Sequence, residues 1–106
     1  MSYSVVLAAT ADRQLVDIRD YIAGAADLGT ASAFVDAIVD HCRGLETFPH
    51  RGLCRDDLAP GLRTIGFRRR VLIAFDVDDD AQKTTVHGIF YGGQDIDAAF
   101  SEEQAT

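Results

Sequence analysis

The sequence predicts a small α+β domain: an N-terminal strand, a helical hairpin, then a three-stranded antiparallel meander. Apolar residues recur at helical spacing in the first half of the chain, as in Leu15, Ile18, Tyr21 and Ile22. In the second half the alternation has period two, as in Val71, Ile73, Phe75 and Val77. The segments of that half are joined by links too short for a crossover helix, so they pair antiparallel. The 106 residues are 47% hydrophobic, enough for one packed core and unlike a disordered acidic chain. Residues 1–100 are assigned to a single domain and residues 101–106 to a flexible tail.

Residues 3–8 (YSVVLA) are a β-rich run, and Thr10 offers a capping hydroxyl for a helix over residues 11–24, which ends near Gly24. Asp12, Asp17, Arg19 and Asp20 fill its polar side. Residues 27–30 (DLGT) read as the turn into a second helix, which runs from Thr30 or Ala31 to about Thr47. Phe34, Ile38, His41, Cys42 and Leu45 form its stripe. Phe48 before Pro49 ends it, and residues 50–61 have the Gly, Pro and Asp content of a functional loop. Strands are then expected over residues 62–67, 70–77 and 84–91. In the middle one Val71, Ile73, Phe75 and Val77 should face the helices. Leu72 and Ala74 lie on a half-apolar far face suited to a partner.

No apolar run approaches the roughly 20 residues of a membrane helix, and the N-terminus carries no leader pattern, so a cytoplasmic location without membrane contact is expected. Cys42 and Cys54 form no metal-ligand spacing or disulfide framework and read as buried or half-buried thiols. Asp78, Asp79 and Asp80 lack the Gly and Glu of a calcium loop, and no metal or cofactor is expected. The net charge of −7 is segregated. Residues 1–41 balance at −4 and residues 76–106 at −7. Residues 42–75 hold seven arginines (43, 51, 55, 63, 68, 69 and 70) against three acids, a balance of +4. Such a segment either faces an anionic partner or pairs internally with Asp76 to Asp80.

Four strings, in order, carry a family likeness. Tyr3-Ser4-Val5 leads into residues 11–22 (ADRQLVDIRDYI). Ala33 and Phe34 lead through Leu45 to Phe48-Pro49-His50-Arg51-Gly52. Pro60-Gly61-Leu62-Arg63 precedes residues 70–75 (RVLIAF), and residues 88–95 (GIFYGGQD) close the pattern. Together they resemble the ParE/RelE superfamily of toxins from type II toxin–antitoxin modules over nearly the whole chain. The resemblance implies growth inhibition, plasmid stabilisation and a hetero-oligomer with a cognate, ParD-like antitoxin. It also implies one of two activities: ParE-type inhibition of DNA gyrase, or RelE-type ribosome-dependent mRNA cleavage.

A nuclease needs groups that activate a 2′-OH, stabilise the phosphorane and protonate the leaving oxygen. Here they would be Arg70, His87 and Tyr91, with Arg63 beside them. The pattern leaves open whether His87 and Tyr91 or Val86 and Phe90 face the core. Tyr91 and Gly93 stand where the family often has histidine and arginine, and a −7 chain is repelled by ribosomal phosphate. We therefore expect a non-catalytic toxin that makes no direct nucleic-acid contact. Arg63, Arg68, Arg69, Arg70, Tyr91, Gln94 and Asp95 are its target contacts. Leu15, Ile18, Ile22, Leu72 and Ala74 are its antitoxin contacts.

Overall fold

The computed structural model describes residues 2–92 and Ile96, and its first two elements meet at a shared residue. The first strand, β1 (Ser4–Leu7), hands over to α1 (Ala9–Ala25) at Ala8. The Ala8 N–H still donates to the Val86 carbonyl at 2.9 Å, while its own carbonyl accepts from Asp12 N–H. No side chain caps this helix, and Thr10 lies inside it. The handover from the sheet sets the start, two residues ahead of the expected one.

The second helix, α2 (Leu28–Arg43), also starts early, because Asp27 is its cap. Asp27 Oδ1 accepts from the Thr30 N–H at 2.7 Å, and Oδ2 accepts from the Thr30 hydroxyl at 3.0 Å. These bonds hold the Asp27 carboxyl below its usual pKa, the backbone bond contributing most. A 3-10 turn, Gly44–Glu46, finishes the helix instead of a continuous run to Thr47.

The expected loop over residues 50–61 contains a two-residue strand, β2 (Leu53–Cys54), paired antiparallel with β3 (Arg63–Phe67). Then come β4 (Val71–Asp78) and β5 (Lys83–Tyr91), completing the meander. The sheet order is β1-β5-β4-β3-β2, with β1 parallel to β5 and the other pairs antiparallel.

Both helices pack on one face of this sheet. Val71, Ile73, Phe75, Val86 and Ile89 meet Leu15, Ile18, Ile38, Cys42 and Leu45 there. The far face is not left for a partner as expected. Leu58, Leu62 and Ile96 cover Ala74 and Phe90, with Leu72 at the margin. Burial pushes the Cys42 thiol up to about 11, so it is a neutral packing group. Cys54, expected to be at least half-buried, is exposed on the edge strand. No helix among the described residues is long and apolar enough to cross a membrane, and they hold no cluster of metal-ligating side chains.

Candidate functional site

A β-bulge decides which residues can meet. Ala74 pairs with Gly88 and Phe75 with Val86, so His87 is an extra residue on β5. Alternation therefore slips by one across His87. Val86 and Ile89 both reach the helix-side core, and Tyr91 packs against it. A glycine stands next to the bulge for a steric reason. A Cβ on Gly88 would come within 2.7 Å of the Phe90 ring. On the helix side Gln14 Oε1 accepts from the Ile89 N–H at 2.6 Å, tying α1 to β5 just past the slip.

The face left open by the sequence is thus settled differently for the two residues. His87 turns to the far face and meets Asp76, Nε2 to Oδ2, at 2.8 Å. Tyr91 sits on the helix side, edge-on to Phe34 with ring centroids 5.8 Å apart and 5.9 Å from Tyr21. Arg70 joins Tyr91, not His87. Arg70, Tyr91 and Gly92 form one wall of an open groove of about 400 Å³, and Gln14, Asp17, Ile18 and Tyr21 of α1 form the other. Arg70, His87 and Tyr91 are not brought together.

The arginines divide in the same way. Arg68, Arg69 and Arg70 make the β3–β4 turn and are all exposed. Arg68 (φ 50°) and Arg69 (φ 65°) occupy the left-handed region that hairpin turns usually give to Asn and Gly. The Gly92 N–H donates to the Arg70 carbonyl at 2.9 Å, fastening the turn to the end of β5. The Arg68 guanidinium lies over the Phe67 ring, 5.0 Å from its centroid. None of the three forms an ion pair with a described residue.

Arg63 stands at the other end of β3, roughly 17 Å from the turn at about 3.3 Å per residue. It lines a smaller cleft of about 250 Å³ with His50, Cys54, Asp56 and Asp79. There Asp79 Oδ1 takes the Tyr3 hydroxyl at 2.8 Å and His50 Nε2 at 2.7 Å. The Tyr3 bond, the His50 bond and the Arg63 charge hold the Asp79 carboxyl below its usual pKa. Internal pairing of the arginine segment with Asp76 to Asp80 is largely pre-empted. His87 takes Asp76, Tyr3 and His50 take Asp79, and the Ala81 N–H takes Asp78. Two other arginines pair locally, Arg43 with Asp40 and Arg55 with Asp57.

The expected antitoxin contacts are mostly inside. Leu15 (7% exposed), Ile18 (4%) and Ala74 (0%) are core residues of this chain, and Ile22 and Leu72 are half-buried. Their apolar spacing marks the inward side of α1 and the covered face of the sheet. On α1 the large exposed apolar residues are Val16 and Tyr21. In the sequence Tyr21 shares the helical period of the buried stripe, yet the fold leaves it exposed. Gln94 and Asp95 lie outside the described residues, as does the 101–106 tail.

Solved structures share this architecture. The chromosomal ParDE toxin–antitoxin system of P. aeruginosa matches at TM-score 0.73 and 22% identity, over 84% of this chain and 95% of that one. The toxin–antitoxin complex RelBE2 of Mycobacterium tuberculosis matches at TM-score 0.63 and 21% identity, over 86% and 92%. A free-state double arginine-to-alanine mutant of the E. coli toxin RelE matches at TM-score 0.69 and 11% identity, over all of both chains. No curated protein is significantly similar in sequence. The family of ParE toxins of type II toxin–antitoxin systems (parDE), however, matches residues 5–96. A match that spans most of the chain places it: the chain belongs to the ParE toxin family.

Proposed function

We propose that this toxin acts by binding a protein target, DNA gyrase by family resemblance, and that a co-expressed ParD-like antitoxin neutralises it in a cytoplasmic hetero-oligomer. The observation that carries the reading is the separation of the groups a nuclease would need. His87 is bonded to Asp76 on one face of the sheet, while Arg70 and Tyr91 share a groove on the other. General acid–base catalysis needs both partners within hydrogen-bond reach of one substrate. The far face, where a superfamily nuclease would hold its charged cluster, is filled by Leu58, Leu62, Ala74 and Phe90. The binding surface is then the exposed Arg68, Arg69, Arg70 and Tyr21, with half-buried Tyr91 beside them. The net charge of −7 opposes docking on ribosomal phosphate.

Induced expression is expected to stop growth, co-expression of the adjacent small gene to restore it, and purified toxin to inhibit gyrase supercoiling. Translation-dependent mRNA cleavage, mapped as new 5′ ends after induction with gyrase unaffected, would replace this reading with the nuclease one.

A further inference from the structure

The groove between α1 and the end of β5 has the size and the chemistry of a small-ligand site. At about 400 Å³ it is as large as many such pockets, which run from roughly 300 to 1,000 Å³. Gln14, Asp17 and Tyr21 follow one another along α1 at spacings of three and four, so they stand in one line on one side of the helix. Each offers a different contact. Gln14 has spent its amide oxygen on the Ile89 N–H and keeps its NH₂ as a donor. Asp17 is exposed and forms no ion pair with a described residue, so its carboxylate is an acceptor. Tyr21 is 65% exposed, yet its ring is supported by Tyr91 with centroids 5.9 Å apart, which makes it an aromatic platform. Strand β5 gives the order along the groove. Gln14 is tied to Ile89, Tyr21 meets Tyr91, and the exposed Arg70 is fastened through its carbonyl to Gly92. The groove is therefore polarised, with a donor and a paired acceptor at one end, a platform in the middle and a guanidinium fork at the other.

We infer that this groove binds a free guanine mononucleotide. The base stacks on the open face of Tyr21, its N1–H and 2-amino group donate to the Asp17 carboxylate, and its O6 accepts from the Gln14 NH₂. The phosphate meets the Arg70 fork, which suits planar, charge-assisted recognition of phosphate oxygens. Asp17 selects the base. Guanine has two adjacent donors to offer a carboxylate, whereas adenine and cytosine set a ring-nitrogen lone pair beside a single amino donor, and that lone pair would face Asp17. One turn of α1, about 6 Å, separates Asp17 from Tyr21, so the edge and the platform lie within reach of one base. A polynucleotide fits less well. Asp12, Asp17 and Asp20 line the exposed side of α1 and the arginines gather only at the turn, so the groove holds one phosphate and not a chain of them. The inference rests on the groove's own residues and is independent of the toxin reading.

The test is an NMR titration of the ¹⁵N-labelled full chain with GMP, AMP, guanosine and inorganic phosphate in turn. GMP should shift the amides of Asp17, Tyr21, Arg70 and Gly92 and bind about ten-fold more tightly than either AMP or guanosine. All three side chains to be changed are exposed, so the variants should keep the folded spectrum. Asp17→Asn should erase the preference for GMP over AMP and leave AMP binding as it was. Arg70→Gln should bring GMP down to the affinity of guanosine, and Tyr21→Ser should weaken both by several-fold. Equal binding of GMP and AMP, or the same shifts with inorganic phosphate alone, would overturn the proposal. So would shifts centred on the Arg63 and His50 cleft, a guanine-containing oligonucleotide that binds more tightly than GMP, or no saturable shift at millimolar GMP.

Discussion

His87 shows how much one inserted residue changes. Strand parity in the sequence treats residues 84–91 as a regular alternation, under which His87 and Tyr91 share a face. The bulge opposite Ala74 and Phe75 separates them. A signal was present in Gly88, since glycine inside a strand marks a bulge or a close approach. Its consequence for register lies in pairing with β4, which a single strand does not encode. Thr84, earlier on the same strand, is 0% exposed, and its hydroxyl has no hydrogen-bond partner among the described residues. An unsatisfied buried hydroxyl keeps its desolvation penalty without a compensating bond. Thr84→Val, which preserves shape, is therefore expected to stabilise the fold by about 1 kcal/mol. The readout is a higher urea midpoint at unchanged slope, and an unchanged or lower midpoint would show that the hydroxyl is satisfied after all.

At the scale of elements, the long periodic segments were legible and the short ones were not. Both helices and the three meander strands declare themselves through 3.6- and two-residue periods, with no end displaced by more than four residues. The displaced starts trace to Ala8, whose sheet bond no pattern reveals, and to Asp27, which has the composition of a turn residue but caps α2. The strand β2 has two residues and no period at all. What positions it is Gly52, in the Pro49-His50-Arg51-Gly52 string that carried part of the family likeness. Its φ is +84°, and a Cβ there would lie 2.4 Å from Ile65 Cγ2 and from the Thr64 carbonyl oxygen. Backbone strain and a clash with a paired strand act together. Gly52→Ala should destabilise the fold by roughly 2–4 kcal/mol. Thermal unfolding would show a correspondingly large fall in Tm, whereas Gly61→Ala, with φ +77° but open space, should lose only the strain part.

Across the whole molecule, the same acidity that opposes ribosome docking also sets the response to pH. The seven-arginine segment looked like one basic region in the sequence. Folding splits it into the turn, the Arg63 cleft and local pairs, because β3 carries its two ends apart. Three carboxylates tie distant parts of the chain or fix loops. Asp27 caps α2, Asp57 bonds to Arg55, and Asp79 joins β1, the post-helix loop and the β4–β5 turn. All three have pKa values lowered by these bonds. A carboxyl whose folded pKa lies below its unfolded value contributes stability above the unfolded pKa, about 4 for Asp, and loses it as pH falls through the folded pKa. Below about pH 4 the acids are neutralised in turn, leaving 10 Lys and Arg together with 3 His, so positive self-repulsion adds to the loss. Urea midpoints should therefore fall between pH 5 and pH 2.5. Asp79→Asn should lower the midpoint at pH 6, and the gap to the wild type should narrow by pH 2.5 as acid protonates the Asp79 carboxyl. A deficit of equal size at both pH values would assign the effect of Asp79 to packing at the Tyr3–His50 junction instead of to its charge.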